Sequence, residues 1–131
     1  MRNDYTKLGA VFGGRDHDAN VRLVDLAVDR LALLADPLRI RILALLEQQE
    51  ANVSELTDEL GTTTQNISRH LNILYRSAVV SRRRDGASVY YALMDYSTCL
   101  TVGQAVAGVL GHIQEIAELD QRVLEKLPPS N

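Results

Sequence analysis

VSELTDELGTTTQNISRHLNILYRSAVVSRRRDGASVYYAL, residues 53–93, decides the fold of this 131-residue chain. At its centre Ile67, Leu71 and Leu74 recur at helical spacing, while Thr64, Gln65, Ser68, Arg69 and Asn72 take the other side. That pattern predicts an amphipathic helix over about 64–76, with Thr63 placed to cap it by accepting an early backbone N–H. Upstream, Ser54 is the expected cap of a shorter helix, ELTDEL, which should end at Gly61, a residue suited to the left-handed C-terminal position. Two short helices joined through a tight glycine turn are the signature of a helix-turn-helix.

Downstream, VVSRRRDGASVYYAL alternates around Asp85-Gly86, and reads as a two-stranded hairpin over about 79–93 attached directly to the second helix. Alternation sends Arg83 to the face opposite Arg82 and Arg84. Upstream of the pair, Asp36-Pro37 introduces a helix bearing Leu38, Ile42, Leu45 and Leu46. Before that, Val21, Val24, Val28, Leu31 and Ala35 form an apolar stripe over about 18–34.

The chain from about 97 to 119 returns to helical period, with Val102, Val106, Val109, Ile113 and Ile116 as one stripe and Gly103, Ala107 and Gly111 as a second. Glycine costs roughly 1 kcal/mol inside a helix, so its repetition on one face implies close approach by another backbone. A partner subunit is the expected neighbour, with Val102, Gly103, Val106, Ala107, Val109, Leu110 and Ile113 at the interface. The expected organisation is a flexible arm over 1–18, a single domain over 19–122 and a frayed tail over 123–131. Leu8, Val11 and Phe12 are the arm residues suited to docking on the core.

Composition agrees with a mainly helical fold carrying a small β-hairpin. The chain is 46% hydrophobic but only 5% aromatic, so the core is built of Leu, Val, Ile and Ala. No signal-like leader and no apolar run of about 18–20 residues occurs, which predicts a cytoplasmic protein without a membrane partner. Cys99 is the single cysteine, excluding an intrachain disulfide. An enzyme is not expected, because His17, His70 and His112 are scattered and no glycine-rich phosphate loop follows a strand.

The net charge is −3, yet between Thr62 and Leu93 five arginines, Arg69, Arg76, Arg82, Arg83 and Arg84, face Asp85 alone. Phosphate binding depends on this local field rather than on the acidic remainder.

LADPLRIRILALL (34–46) followed by residues 53–93 resembles the winged helix-turn-helix core of the ArsR/SmtB family of bacterial transcriptional repressors. The likeness spans about 31–93, and the flanking helices fall where that family places its dimerisation helices. It implies a homodimer bound to a pseudo-palindromic site on double-stranded DNA, in many members released by a metal ion or other signal. Where the family often has Ala-Gly-Leu-Val, this chain has Ser77-Ala78-Val79-Val80, with alanine at the usual glycine. The rival reading is a winged-helix module for protein association without specific DNA binding.

On the DNA reading, the exposed N-terminal residues of the recognition helix meet base edges. Thr64, Gln65, Ser68 and Arg69 are presented there, glutamine suiting adenine and arginine guanine. Asn66 and Asn72 lie nearer the flanks, where phosphate contact is expected, the capping Thr63 is a further DNA-binding candidate, and Arg82, Arg84, Gly86 and Ser88 are the wing candidates. His70, beside the inward stripe, reads as a structural histidine.

The family's Cys-x-Cys metal position falls on Asn52-Val53-Ser54, so that soft-metal site is absent. Its zinc-type pattern falls on Cys99, Thr101, His112 and Glu115, half of which is present. Cys99 and His112 are about 20 Å apart along one helix, so only an antiparallel partner helix could complete an interfacial zinc-type site. Asp16, His17 and Asp18 are further candidate ligands, although carboxylates also suit a helix start. Cys99 as an oxidation sensor, and no ligand at all, are the other readings, and the sequence names no inducer.

Overall fold

The computed structural model describes residues 17–126, and the expected arm before His17 and tail after Lys126 lie outside them. The chain divides between Pro37 and Leu38 into two compact units, where sequence predicts one domain from 19 to 122. In the first unit, helix α1 (His17–Leu34) begins where the apolar stripe predicts, with Asp18 in its first turn. Its stripe is not a core face within the chain: Val21, Val24, Val28 and Leu31 are all exposed, and only Leu34 is buried.

The order continues as α2 (Pro37–Gln48), β1 (Ala51–Asn52), α3 (Val53–Leu60), α4 (Thr64–Arg76), β2 (Val80–Asp85), β3 (Ser88–Leu93) and α5 (Tyr96–Glu125). Ile42, Leu43 and Leu46 of α2, Leu56 of α3, and Ile67, Leu71 and Leu74 of α4 supply the buried apolar centre, joined by Val79, Val80 and Leu93. Leu43 thus takes the place that the sequence stripe gave to Leu38 and Leu45, which are only half-buried.

Helix α3 starts two residues earlier than the Ser54 cap predicts. Asn52 is its cap: the Asn52 Oδ1 accepts from the Glu55 N–H at 2.8 Å, and the Glu55 carboxylate accepts from the Asn52 N–H at 3.2 Å. Two orphan donors are thereby satisfied reciprocally, an arrangement open to asparagine with glutamate three residues on and not to the internal Ser54. Gly61 closes the helix at φ 63°, and its N–H donates to the Thr57 carbonyl at 2.9 Å.

The hairpin is part of a three-stranded antiparallel sheet in the order β1-β3-β2, a correction to the two-stranded expectation. Ala51 and Asn52 pair with Tyr91 and Tyr90, too short a strand to carry a readable alternation. Asp85 still belongs to β2 and pairs with Ser88, so the turn residues are Gly86 and Ala87. Gly86 has φ 61° while Ala87 has no positive φ, the glycine-first pattern of a two-residue hairpin turn.

Between α4 and the wing, Ala78 adopts φ 58°. Its N–H donates to the Tyr75 carbonyl at 3.1 Å, and the Val79 N–H donates to the Leu74 carbonyl at 3.0 Å. These two bonds are those of a Schellman cap, with alanine in the left-handed position usually given to glycine, and the buried pair Leu74 and Val79 completes it. The fold therefore makes this turn with a residue that resists it.

Helix α5 is longer than expected, continuing through Glu125 and so taking in the start of the predicted frayed tail. Asp95 caps it, accepting from the Thr98 N–H at 3.3 Å and the Thr98 hydroxyl at 2.8 Å. Beyond Thr98, it buries almost nothing in its own chain. Val106, Val109, Leu110, Ile113, Ile116 and Leu119 are exposed, and a Cβ added at Gly103 or Gly111 would meet no atom within 4 Å. Among the described residues no helix is long and apolar enough to cross a membrane.

Candidate nucleic-acid interface

Helix α4 is built to hold one face still while presenting the other. Ile67, Leu71 and Leu74 are fully buried, and burying side chains of this size stabilises by about 1.5–3 kcal/mol each. Thr63 caps the helix as the sequence predicts, its hydroxyl oxygen accepting from the Asn66 N–H at 3.1 Å. With that side fixed, Thr64, Gln65, Ser68, Arg69 and Asn72 are exposed on the other, the set expected from spacing alone. His70 is buried with its Nδ1 3.3 Å from the Arg39 guanidinium, the structural role anticipated for it. Arginine has no acceptor, so Nδ1 is the unprotonated ring nitrogen in this contact.

Two polar residues of this face are not free agents. Arg69 donates from Nη2 to the Asn66 Oδ1 at 2.9 Å, and Asn66 in turn donates from Nδ2 to the Thr62 hydroxyl at 3.1 Å. Asn66 is half-buried and turned along the helix. Sequence spacing placed it at the flank but carried no sign of this chain of bonds, which depends on rotamers.

The three wing arginines divide as alternation predicts. Arg83 crosses to β1's side of the sheet, where its Nε donates to Glu50 at 2.9 Å and its Nη2 makes a second, shorter bond to the same carboxylate. The guanidinium also lies 4.9 Å from the Tyr90 ring centroid, over its face. The Arg83 hydrogen bond holds the Glu50 carboxyl below its ordinary value. Arg82 and Arg84 occupy the other face with their cross-strand neighbours Tyr91 and Val89.

Arg82 stacks 4.1 Å over the Tyr75 ring near the C-terminal end of α4. A guanidinium so stacked keeps its in-plane N–H donors at the edge, open to an anion. Arg84, Gly86 and Ser88 lie at the wing end, the first two exposed and Ser88 partly so. Tyr75 and Glu50 are the contact partners of Arg82 and Arg83 that the sequence reading missed. The signal for Tyr75 was its position one turn beyond Leu71, next to the strand that carries Arg82.

Among the described residues, Cys99, His112 and Glu115 are not brought together. Cys99 is in the first turn of α5, whereas His112 and Glu115 lie thirteen and sixteen positions further along it, and the described residues contain no group of three or more potential ligands. The Thr101 hydroxyl donates to the Ser97 carbonyl at 3.0 Å, so it is turned into its own helix. Burial pushes the Cys99 thiol above its ordinary value, and the nearby Glu47 and Asp95 carboxylates push the same way. Burial, the largest of these effects, therefore opposes the thiolate that an oxidation sensor at this helix start would need. Asn52, at the family's other metal position, is engaged in capping α3.

Residues 36–82 match the family model described as "Bacterial regulatory protein, arsR family". An uncharacterized HTH-type transcriptional regulator of Mycobacterium tuberculosis is 37% identical over 87 residues, covering 64% of this chain and 76% of that protein. The nodulation protein NolR of Rhizobium meliloti is 30% identical over 104 residues, covering 79% of each chain. Among solved structures, the crystal structure of the same mycobacterial regulator superposes with a TM-score of 0.61 at 33% identity, covering 77% of this chain and 96% of that one. The crystal structure of NolR from Sinorhizobium fredii gives 0.66 at 28% identity, covering 74% and 96%.

Proposed function

The chain belongs to the bacterial arsR family of regulatory proteins, and on that premise we propose that it reads a pseudo-palindromic DNA operator as a homodimer and represses transcription from it. It is a DNA-binding transcriptional regulator of winged helix-turn-helix type. The observation that carries the finer reading is one surface: a capped helix presenting Thr64, Gln65, Ser68 and Arg69, continuous with a wing face carrying Arg82 and Arg84.

Base edges distinguish themselves in the major groove, where glutamine suits adenine and arginine suits guanine, each good bidentate pair being worth about 1–3 kcal/mol against the wrong base. Thr64, Gln65, Ser68 and Arg69 take that role. Phosphates fix register without carrying sequence, and this falls to Thr63, Asn72, Arg82, Arg84 and the wing-tip groups Gly86 and Ser88. Arg83, bound to Glu50, holds the wing against β1 instead. The acidic remainder of the chain repels misplaced duplex, leaving the arginine-rich surface as the productive contact.

Two copies are required, because two recognition helices about 34 Å apart meet successive major grooves on one DNA face. The dimer surface is the uncovered apolar side of α5, with Val102, Gly103, Val106, Ala107, Val109, Leu110 and Ile113. A contiguous apolar surface of this length is costly in water and is relieved by association.

The test is a division of roles. Gln65→Ala and Arg69→Ala should reduce preference for the selected sequence, whereas Arg84→Ala should weaken all duplexes alike and lower the salt slope by about one. Equal losses on selected and random duplex for all three variants would overturn the assignment.

A further inference from the structure

We infer that Asn66 is a positioning residue for base recognition, which aims the Arg69 guanidinium through a Thr62–Asn66–Arg69 relay rather than touching DNA itself. The inference rests on the proposal that α4 reads DNA, and it replaces the phosphate contact expected of Asn66.

Three bonds fix Asn66. Its backbone N–H is taken by the Thr63 cap, its Nδ2 donates to the Thr62 hydroxyl at 3.1 Å, and its Oδ1 accepts from Arg69 Nη2 at 2.9 Å. The Arg69 bond sets which way the amide faces, because a flipped amide would turn its NH₂ towards a guanidinium that has no acceptor, and the Thr62 hydroxyl then accepts from the NH₂ and holds the amide in place. Thr62 lies outside the helix, in the turn between α3 and α4, so the aim of Arg69 is set from the helix-turn-helix turn.

The bond does not consume the reading edge of Arg69. Both two-point forks of a guanidinium include Nη2, one with Nε and one with Nη1. Whichever Nη2 hydrogen goes to Asn66, the other still forms a complete fork with its neighbour, suited to guanine O6 and N7. A long arginine otherwise loses rotamer freedom on binding. Holding it by one donor removes part of that loss in advance and favours one direction of approach, which raises discrimination more than general affinity.

The experiment uses the full chain and a duplex recovered by it from a randomised pool, together with variants of that duplex carrying each alternative base pair. Arg69→Ala identifies the base pair that Arg69 reads, through a roughly tenfold or larger loss of discrimination there. Asn66→Ala should lower discrimination at that same base pair by roughly three- to tenfold while leaving it intact elsewhere, and should add little in the Arg69→Ala background. Thr62→Val should act in the same direction, and Thr62→Ser, which keeps the hydroxyl, should restore discrimination. The cap bond uses the Asn66 backbone, so Asn66→Ala should unfold at a urea midpoint close to that of the unmodified protein.

A uniform loss across all duplexes on Asn66→Ala would make Asn66 a phosphate contact and overturn the relay. Additive losses in the double variant, or no rescue by Thr62→Ser, would do the same. Failure of the unmodified chain to enrich any sequence would sink the DNA-reading proposal, whereas enrichment lost with Arg69→Ala but untouched by Asn66→Ala would sink the relay alone.

Discussion

Replacing Ala78 by glycine should stabilise the protein, because this left-handed capping position is one that glycine adopts without a Cβ penalty. Ala78 is held at φ 58°, where an L side chain crowds the following carbonyl at a cost of about 1–2 kcal/mol. Glycine escapes that cost but gives back roughly 0.5–1 kcal/mol through its larger freedom in the unfolded chain. The net gain is therefore about 0–1.5 kcal/mol, centred on about 0.75 kcal/mol. The capping bonds to the Tyr75 and Leu74 carbonyls are both made by backbone N–H groups and survive the change. Urea unfolding at one fixed protein concentration is the assay, since association shifts the midpoint by mass action. The midpoint should rise with an unchanged slope. Gly61→Ala supplies the mirror experiment: it has φ 63° and no atom within 4 Å of an added Cβ, so its loss should be purely conformational and of similar size. An Ala78→Gly midpoint at or below that of the unmodified chain, with the same slope, would refute the claim that the turn is strained.

The Glu50–Arg83 pair gives a pH dependence. The Glu50 carboxyl is lowered in the folded chain, so its contribution is complete above the ordinary value of 4.5 and fades as pH falls through the lower folded value. The unfolding midpoints of the unmodified protein and Glu50→Gln should accordingly converge below pH 4.5, and a difference that widens on acidification would contradict the pairing. Cys99 should alkylate slowly with iodoacetamide, its rate rising with a midpoint above the ordinary 9.0; a midpoint below that value would favour Cys99 as an oxidation sensor. Leu71→Ala should cost about 2–5 kcal/mol, because the side chain is fully buried, whereas Ser68→Ala on the opposite face should stay within about 0.5 kcal/mol. Comparable destabilisation by the two would mean that α4 does not have one fixed and one free face.

The recognition helix was legible in the sequence because its cap, its period and its buried stripe all point the same way: Thr63, Ile67, Leu71 and Leu74 each do in the structure what spacing requires. Alternation likewise separated Arg83 from Arg82 and Arg84. What stayed hidden depends on contacts between distant positions. The two-residue strand β1 is too short to show a period, and exists because Tyr90 and Tyr91 offer it a free edge. The cap of α3 was misplaced because Asn52 and Ser54 are both good capping residues, and only Glu55 three positions after Asn52 decides between them. The partners of Arg82 and Arg83, Tyr75 and Glu50, are set by side-chain direction rather than by pattern. On α5 the periodicity marks an apolar face, and its residues Val106, Val109, Ile113 and Ile116 are exposed, so what covers them is not written in the periodicity.

Selection of duplexes from a randomised pool by the full chain at about 150 mM salt, followed by sequencing, tests the central claim most directly. The account predicts enrichment of one pseudo-palindrome whose half-sites are centred about one helical turn apart, bound roughly a thousandfold or more tighter than the unselected pool. A recovered pool with no sequence enriched over the input, or one bound with the same affinity as random DNA, would contradict it.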